Sequence, residues 1–149
     1  MWYNKIVMER VLTSDQEKAK NLIAEWFLNS DNRMFVLSGY AGTGKTFLID
    51  YIVREVLHLK AGTEAVFVTP TGKAATVLIR NGTVAGTVHS LIYMRNEDDF
   101  DVDENGEIVE REILSFTKRE KIDEKIRLIV IDEASMIAED VLRDLLSFD

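Results

Sequence analysis

The stretch VLSGYAGTGKTFLID, residues 36–50, is the part of the sequence on which the fold depends. An apolar run ends at Gly39, mostly small residues follow, and a second apolar run begins shortly after Lys45. Glycine weakens both strands and helices, so three glycines between two such runs need a physical reason. A loop that points successive backbone N–H groups at a polyphosphate supplies that reason, because side chains would block the approach.

Residues 39–46 fit the pattern G-x-x-x-x-G-K-[ST], between a predicted strand at 34–37 and a predicted helix at 47–57. In this pattern the loop amides and the helix N-terminus bind phosphates. Lys45 contacts the β- and γ-phosphates, and the Thr46 hydroxyl ligates Mg²⁺. The alternative is a glycine-rich turn with a solvated lysine. The predicted nucleotide-binding residues of the loop are Gly39, Ala41, Gly42, Thr43, Gly44, Lys45 and Thr46.

A second motif supplies the acidic groups that such a loop requires. The apolar run 128–131 predicts a buried strand, and Asp132 and Glu133 follow it directly. We predict that Asp132 holds Mg²⁺, through water, and that Glu133 orients or activates the attacking water. Lys45 and Glu133 are therefore the predicted catalytic residues. An apolar run that ends in Asp-Glu is a weak functional signal by itself, and it becomes a strong one in a sequence that also contains the glycine-rich loop.

The remaining elements predict an α/β fold of the P-loop NTPase (RecA-like) class, a parallel sheet flanked by helices. A capping box, Thr13 with Gln16 or Ser14 with Glu17, opens the first helix. Further predicted strands and helices lie at 65–68, 72–80 and 139–146, and Ser135 is a candidate cap for the last helix. We treat 1–149 as one partial ATP-binding domain.

An acidic segment, 95–112, interrupts this alternation. It holds nine acidic and two basic residues, whereas the chain outside it has 16 basic and 17 acidic residues. All but one unit of the total net charge of −8 therefore comes from this segment, and the total does not exclude a nucleic-acid partner. Asn105-Gly106 is a strong hairpin signal, so we predict an inserted surface β-hairpin. A disordered acidic loop is the alternative.

The overall composition sets wider bounds. The chain has 149 residues, 46% of them hydrophobic, and no cysteine, which fits a reducing compartment. The first ten residues lack the pattern of a signal peptide, and no apolar run approaches the roughly 20 residues that span a bilayer. We therefore expect no membrane association and a cytoplasmic location.

The guanine-reading Asn-Lys-x-Asp of GTPases does not occur, which favours ATP. Four motifs follow one another along the chain: GYAGTGKT at 39–46, VTPTGKAA at 68–75, GTVHS at 86–90 and IDEASM at 131–136. In this order they resemble the superfamily 1 DNA helicases of the RecD and phage Dda type. The resemblance covers most of the chain and implies a motor that couples ATP hydrolysis to movement on single-stranded DNA.

The resemblance also implies roles for single residues. Gln16 matches the glutamine that reads adenine, although a capping role is the simpler reading of it. The implied contacts to single-stranded DNA are Thr69, Pro70, Thr71, Lys73 and His89. Without the family, Thr71 would be read as a helix cap, Lys73 as a solvated lysine and His89 as structural. The hairpin lies where the resembling family carries a small β-rich insertion near the DNA path, and its acidic tip would repel phosphate.

In the resembling family, a sensor motif and a complete second RecA-like domain follow these motifs. We therefore expect this chain to be a fragment of the first motor domain, missing the partner domain that supplies transition-state arginines. Residues 1–149 alone should then bind DNA weakly and show negligible DNA-stimulated hydrolysis. The alternatives are a stand-alone P-loop module that regulates or loads a partner, and a P-loop kinase.

Overall fold

The computed structural model describes residues 11–96, 100–102, 104–110 and 115–148. They form two compact units, 11–58 and 59–148. The helices are α1 Ser14–Asn29, α2 Lys45–Tyr51, α3 Gly72–Arg80, α4 Val88–Ile92 and α5 Glu139–Leu146. The strands are β1 Ala65–Thr69, β2 Ala85–Thr87, β3 Tyr93–Arg95, β4 Phe100–Val102, β5 Ile108–Glu110, β6 Phe116–Lys118 and β7 Leu128–Ile131. None of the helices in these ranges has the length and apolar character needed to cross a membrane.

The first unit packs α1 against the helix that follows the glycine-rich loop. Of the two predicted capping boxes, the one formed by Thr13 and Gln16 is present, and it begins α1 as predicted. After Tyr51 the helix continues as one wider turn, Ile52–Val56, with π-type hydrogen bonding. The buried core of the unit consists of Leu12, Ile23, Leu48 and Ile52.

The predicted strand at 34–37 is wrong, because this segment is extended but forms no ladder. Phe35 and Leu37 pack on the core of the first unit, whereas Met34 and Val36 are exposed. Buried and exposed side chains alternate along this segment as they do in a β-strand, but a β-strand also requires backbone hydrogen bonds to a neighbouring strand. The described part of the first unit contains no other strand that could pair with it.

The second unit is built on a three-stranded parallel sheet in the order β2-β1-β7. The central strand β1 pairs with β2 from Phe67 to Thr69 and with β7 from Ala65 to Val68. The predicted strands at 65–68 and 128–131 are confirmed, the first with one added residue. β7 is only half-buried, unlike the fully buried strand that its sequence suggested, because it lies at the edge of this sheet.

Helices cover the sheet and complete the α/β fold. The predictions for α3 and α5 are confirmed to the residue, and the Thr71 hydroxyl accepts from the Ala74 amide as the N-cap of α3. The Ser135 prediction is wrong: Ala138 is the N-cap of α5, without a side-chain bond, and Ser135 lies in a short 3₁₀ turn. The core around α4 and α5 consists of Val68, Val88, Ile92, Val141, Leu145 and Phe148.

The insertion between β2 and β7 contains two antiparallel pairs. β4 pairs with β5, and Gly106 takes a positive φ of 82° in the connecting turn, so the predicted hairpin is present. β3 pairs with β6, with Tyr93 opposite Lys118, and this second pair was not predicted. Parts of the acidic segment (97–99, 103, 111 and 112) lie outside the described residues.

Candidate nucleotide and nucleic-acid site

Two glycines shape the loop at 39–46. Gly42 has φ 77° and Gly44 has φ 79°, left-handed conformations that cost other residues about 1 kcal/mol or more. Gly44 is also the N-cap of α2, and no side chain caps that end of the helix. The N-terminus of α2 thus follows the glycine-rich loop directly, and helix N-termini attract anions through the helix dipole; phosphate binding at this end stays a prediction.

The Lys45 side chain curls back across the loop. Its Nζ donates to the backbone oxygen of Gly39 at 2.7 Å and to that of Tyr40 at 2.9 Å. Both acceptors are neutral carbonyls, whereas an ammonium bonds more strongly to an anionic phosphate oxygen. A bound phosphate would therefore displace these contacts. Thr46 follows in the first turn of α2 and is half-buried.

Gln16 connects the start of α1 to the glycine-rich loop. Its Oε1 accepts from the Thr13 amide at 3.0 Å, and its Nε2 donates to the Thr43 carbonyl at 3.3 Å. A side chain on Gly44 would place a Cβ 3.1 Å from Gln16 Nε2, which is a tight contact. The side-chain amide of glutamine has two N–H donors and two acceptor lone pairs. The bonds to Thr13 and Thr43 use one lone pair and one donor of Gln16. The capping role of Gln16 is confirmed, and adenine recognition stays a prediction.

In the second unit, Asp132 and Glu133 follow β7 at the carboxyl edge of the sheet. The Asp132 amide donates to the Val68 carbonyl at 3.0 Å, and the Glu133 amide donates to Asp132 Oδ1 at 3.1 Å. Glu133 has φ 56° and ψ 38°, the left-handed region that non-glycine residues rarely occupy. Strain of this kind concentrates at functional sites, and the Glu133 side chain is exposed.

The backbone of Glu133 leads to a stability prediction. Glycine tolerates the left-handed conformation and alanine does not, so Glu133→Gly should be more stable than Glu133→Ala by about 1 kcal/mol. Urea unfolding of both variants measures the difference. Equal stabilities would mean that the turn at Glu133 relaxes without cost when the carboxylate is removed.

The predicted DNA contacts lie along the same edge of the sheet but differ in exposure. Thr69 is fully buried, and its hydroxyl donates to the Thr71 carbonyl at 2.8 Å. Thr71 and Lys73 are exposed, whereas Pro70 is half-buried. Thr69 pairs with Thr87 at the ends of β1 and β2. Of these four residues, Thr71 and Lys73 present the most accessible side chains, and Thr69 instead shapes the loop that carries them.

His89 is exposed on α4, two residues after Thr87. Its ring lies against Tyr93, with 5.2 Å between the ring centroids and a 42° tilt. Tyr93 donates its hydroxyl to Asp144 Oδ2 at 2.5 Å. This hydrogen bond, helped by desolvation and by the charges of Asp144 and Asp140, raises the pKa of Tyr93 to about 12. Sequence reasoning missed this pair, because no local signal joins residues 51 positions apart.

The residues present fit a nucleoside triphosphate with magnesium. The loop has two left-handed glycines and leads into the N-terminus of α2, and Thr46 carries a hydroxyl. Magnesium is typically bound by one or two protein oxygens together with substrate phosphates. Thr46 and Asp132 carry oxygens of that type. The parallel sheet, its flanking helices and the glycine-rich loop define the class of P-loop NTPases.

Comparison with known proteins identifies the family within that class. A family described as "AAA domain" matches residues 11–148, which is nearly the whole chain. The chain therefore belongs to the AAA domain family. This membership indicates that the chain binds a nucleotide, and it indicates NTP hydrolysis in general.

Two curated relatives are similar to the chain. An uncharacterized protein of Methanocaldococcus jannaschii is 32% identical over 127 residues, which cover 83% of this chain and 10% of that protein. An uncharacterized protein of Acanthamoeba polyphaga mimivirus is 26% identical over 155 aligned positions, 91% of this chain and 29% of that protein. The chain thus spans less than a third of the length of either relative. No solved structure gives a significant match.

Proposed function

We propose that this chain is the ATP-binding and ATP-hydrolysing part of a DNA helicase motor, which couples hydrolysis to movement on single-stranded DNA. One observation carries the proposal. Three of the four sequence motifs leave the same carboxyl edge of one parallel sheet, after β1, β2 and β7. Ligands of open α/β sheets bind at that edge, so acidic groups for magnesium and candidate DNA contacts share one border.

At the nucleotide, the chain would act mainly through charge and position. Lys45 would exchange its carbonyl partners for phosphate oxygens and neutralise charge on the β- and γ-phosphates. The amides at the start of α2 would bind the same phosphates. Thr46 and Asp132 are the residues proposed to hold Mg²⁺, which would supply positive charge against the phosphates.

Glu133 would act on the attacking water. Its carboxylate would accept a proton from the water as the water oxygen bonds to the γ-phosphorus. The bond between that phosphorus and the β,γ-bridging oxygen breaks, which leaves ADP and inorganic phosphate. Glu133 is exposed and lies two residues beyond the end of β7, so its side chain is accessible to water.

The DNA side would use the loop that carries Thr71 and Lys73, together with His89. Arginines of a second RecA-like domain are the proposed partners of the γ-phosphate, and single-stranded DNA would draw the two domains together. Charge outside 95–112 is nearly balanced, so electrostatic attraction to DNA contributes little from this chain and the affinity should depend on shared contacts.

The test is phosphate release from ATP by the full-length gene product, with and without an unstructured oligo(dT). We expect strong stimulation, lost in Lys45→Ala, and a weaker effect of the same oligonucleotide as a blunt duplex. ATP hydrolysis that ignores DNA would contradict the motor and favour a P-loop module that regulates a partner. Transfer of phosphate to a small acceptor would instead indicate a kinase.

A further inference from the structure

We propose that Tyr93 positions the His89 ring for nucleic acid, and that Asp144 and Lys118 hold Tyr93 in place. The DNA role of His89 rests on the proposed function, whereas the positioning itself rests on contacts within the second unit. These four residues come from α4, β3, β6 and α5, so they tie the base of the insertion to the helices on the sheet. We call them the His89 support.

Tyr93 is joined to His89 in two ways. The Tyr93 amide donates to the His89 carbonyl and ends α4, so the backbone places the two side chains one helical turn apart. Their rings then meet at 5.2 Å between centroids, within the range of favourable aromatic pairs. His89 is exposed while Tyr93 is half-buried against the core of α4 and α5. One face of the histidine ring is therefore supported and the remainder faces solvent.

The far end of Tyr93 is anchored by a charged acceptor. A 2.5 Å bond from a phenol to a carboxylate is a short, charge-assisted hydrogen bond, which is stronger than a neutral one. A tyrosine hydroxyl is protonated at neutral pH and can donate, and the hydrogen bond to Asp144 raises the pKa of Tyr93 further, to about 12. The tyrosine ring is thus fixed at both ends, by its amide and by its hydroxyl.

Lys118 holds the acceptor. It lies opposite Tyr93 in the antiparallel pair of β3 and β6, so both side chains point to the same face. Its Nζ is 3.8 Å from Asp144 Oδ1, donates to the Ser147 hydroxyl and lies 4.9 Å from the centroid of the buried Phe148 ring. Asp144 therefore has one oxygen for Tyr93 and the other beside Lys118, which limits its rotation.

Ring signals in NMR spectra test the positioning directly, because the chain contains only two histidines, His58 and His89. Tyr93→Phe keeps the ring and removes only the hydroxyl. We expect it to shift or broaden the His89 ring signals and to leave those of His58 in place. Asp144→Asn, which keeps an acceptor, should cause a smaller change. Tyr51→Phe, the same substitution in the first unit, is the matched control and should leave His89 unchanged.

Binding of labelled oligo(dT) by the full-length gene product tests the consequence. Loss of one hydrogen bond that orders a contact residue should weaken binding roughly 3-fold to 10-fold in Tyr93→Phe. The decisive comparison is the double variant with His89→Ala, which should bind no more weakly than His89→Ala alone, because Tyr93 acts through His89. Thermal unfolding of each variant confirms that it is folded at the assay temperature.

Each outcome has one meaning. Unchanged His89 ring signals in Tyr93→Phe, or additive losses in the double variant, would overturn the proposal. If His89→Ala binds oligo(dT) as tightly as the unaltered protein, or if the unaltered protein does not bind oligo(dT), the proposed DNA role of His89 fails. The ring signals then decide the positioning by themselves, since they require no DNA.

Discussion

Lys45→Ala is expected to lower the affinity for ATP–Mg²⁺ by about 10-fold to 100-fold, the effect of losing one or two hydrogen bonds from a charged donor. In the structure its ammonium group lies over the loop, bonded to the carbonyls of Gly39 and Tyr40. Those carbonyls are exposed and can bond to water when the lysine is gone, so the loop should keep its shape. The loss should therefore appear in binding rather than in stability.

Isothermal titration calorimetry with a non-hydrolysable ATP analogue and Mg²⁺ measures this effect. Lys18→Ala is the matched control, because Lys18 is an exposed lysine of the same unit whose only described ion pair is with Asp15 at 3.6 Å. Such surface pairs contribute little to stability. Equal affinities for Lys45→Ala and the unaltered protein would contradict the assignment of 39–46 as the phosphate-binding loop.

Glu133→Gln is expected to preserve nucleotide affinity and to lower the rate of ATP hydrolysis by about 10²-fold to 10⁴-fold, the usual contribution of a general base. Glutamine matches the size of glutamate and keeps a hydrogen-bond acceptor, but it cannot take up the proton of the attacking water. The substitution also leaves the left-handed backbone occupied by a side chain of the same shape, so stability should change little.

Single-turnover phosphate release by the full-length gene product, with the protein in excess over ATP and with saturating oligo(dT), isolates this chemical step. Glu120→Gln, the same change at an exposed position before β7, is the control and should hydrolyse ATP normally. Undiminished release from Glu133→Gln would remove Glu133 from the proposed role. A parallel loss of nucleotide affinity would place it in binding instead of chemistry.

Local chemistry explains why several elements could be predicted from the sequence. Thr71 caps α3 through its own hydroxyl, and Asn81-Gly82 ends that helix, so both ends depend on nearby residues. The turn at Gly106 is likewise a local property of Asn-Gly. The loop at 39–46 belongs to the same class, because its glycines and Lys45 lie within a few residues of one another.

Prediction failed where pairing with distant residues decides the conformation. The apolar segment at 34–37 has strand composition but no described strand of its own unit to pair with. The short strand β2 has only three residues, Ala85–Thr87, and it becomes a strand because β1 offers a free edge. β3 and β6 pair across the whole insertion, and no local signal announces that pairing.

The sequence by itself determined the glycine-rich loop before α2, the acidic pair after β7 and the positions of β1, β7, α3 and α5, because those features depend on residue types at fixed short spacings. Only the tertiary structure decided that Thr69 is buried, that Gln16 bonds to the loop at Thr43, and that Glu133 is left-handed. It also decided the support of His89 by Tyr93, since that contact depends on Asp144, 51 residues further along the chain. Long-range packing brings such groups together, and no pattern in the local sequence around either residue indicates the contact.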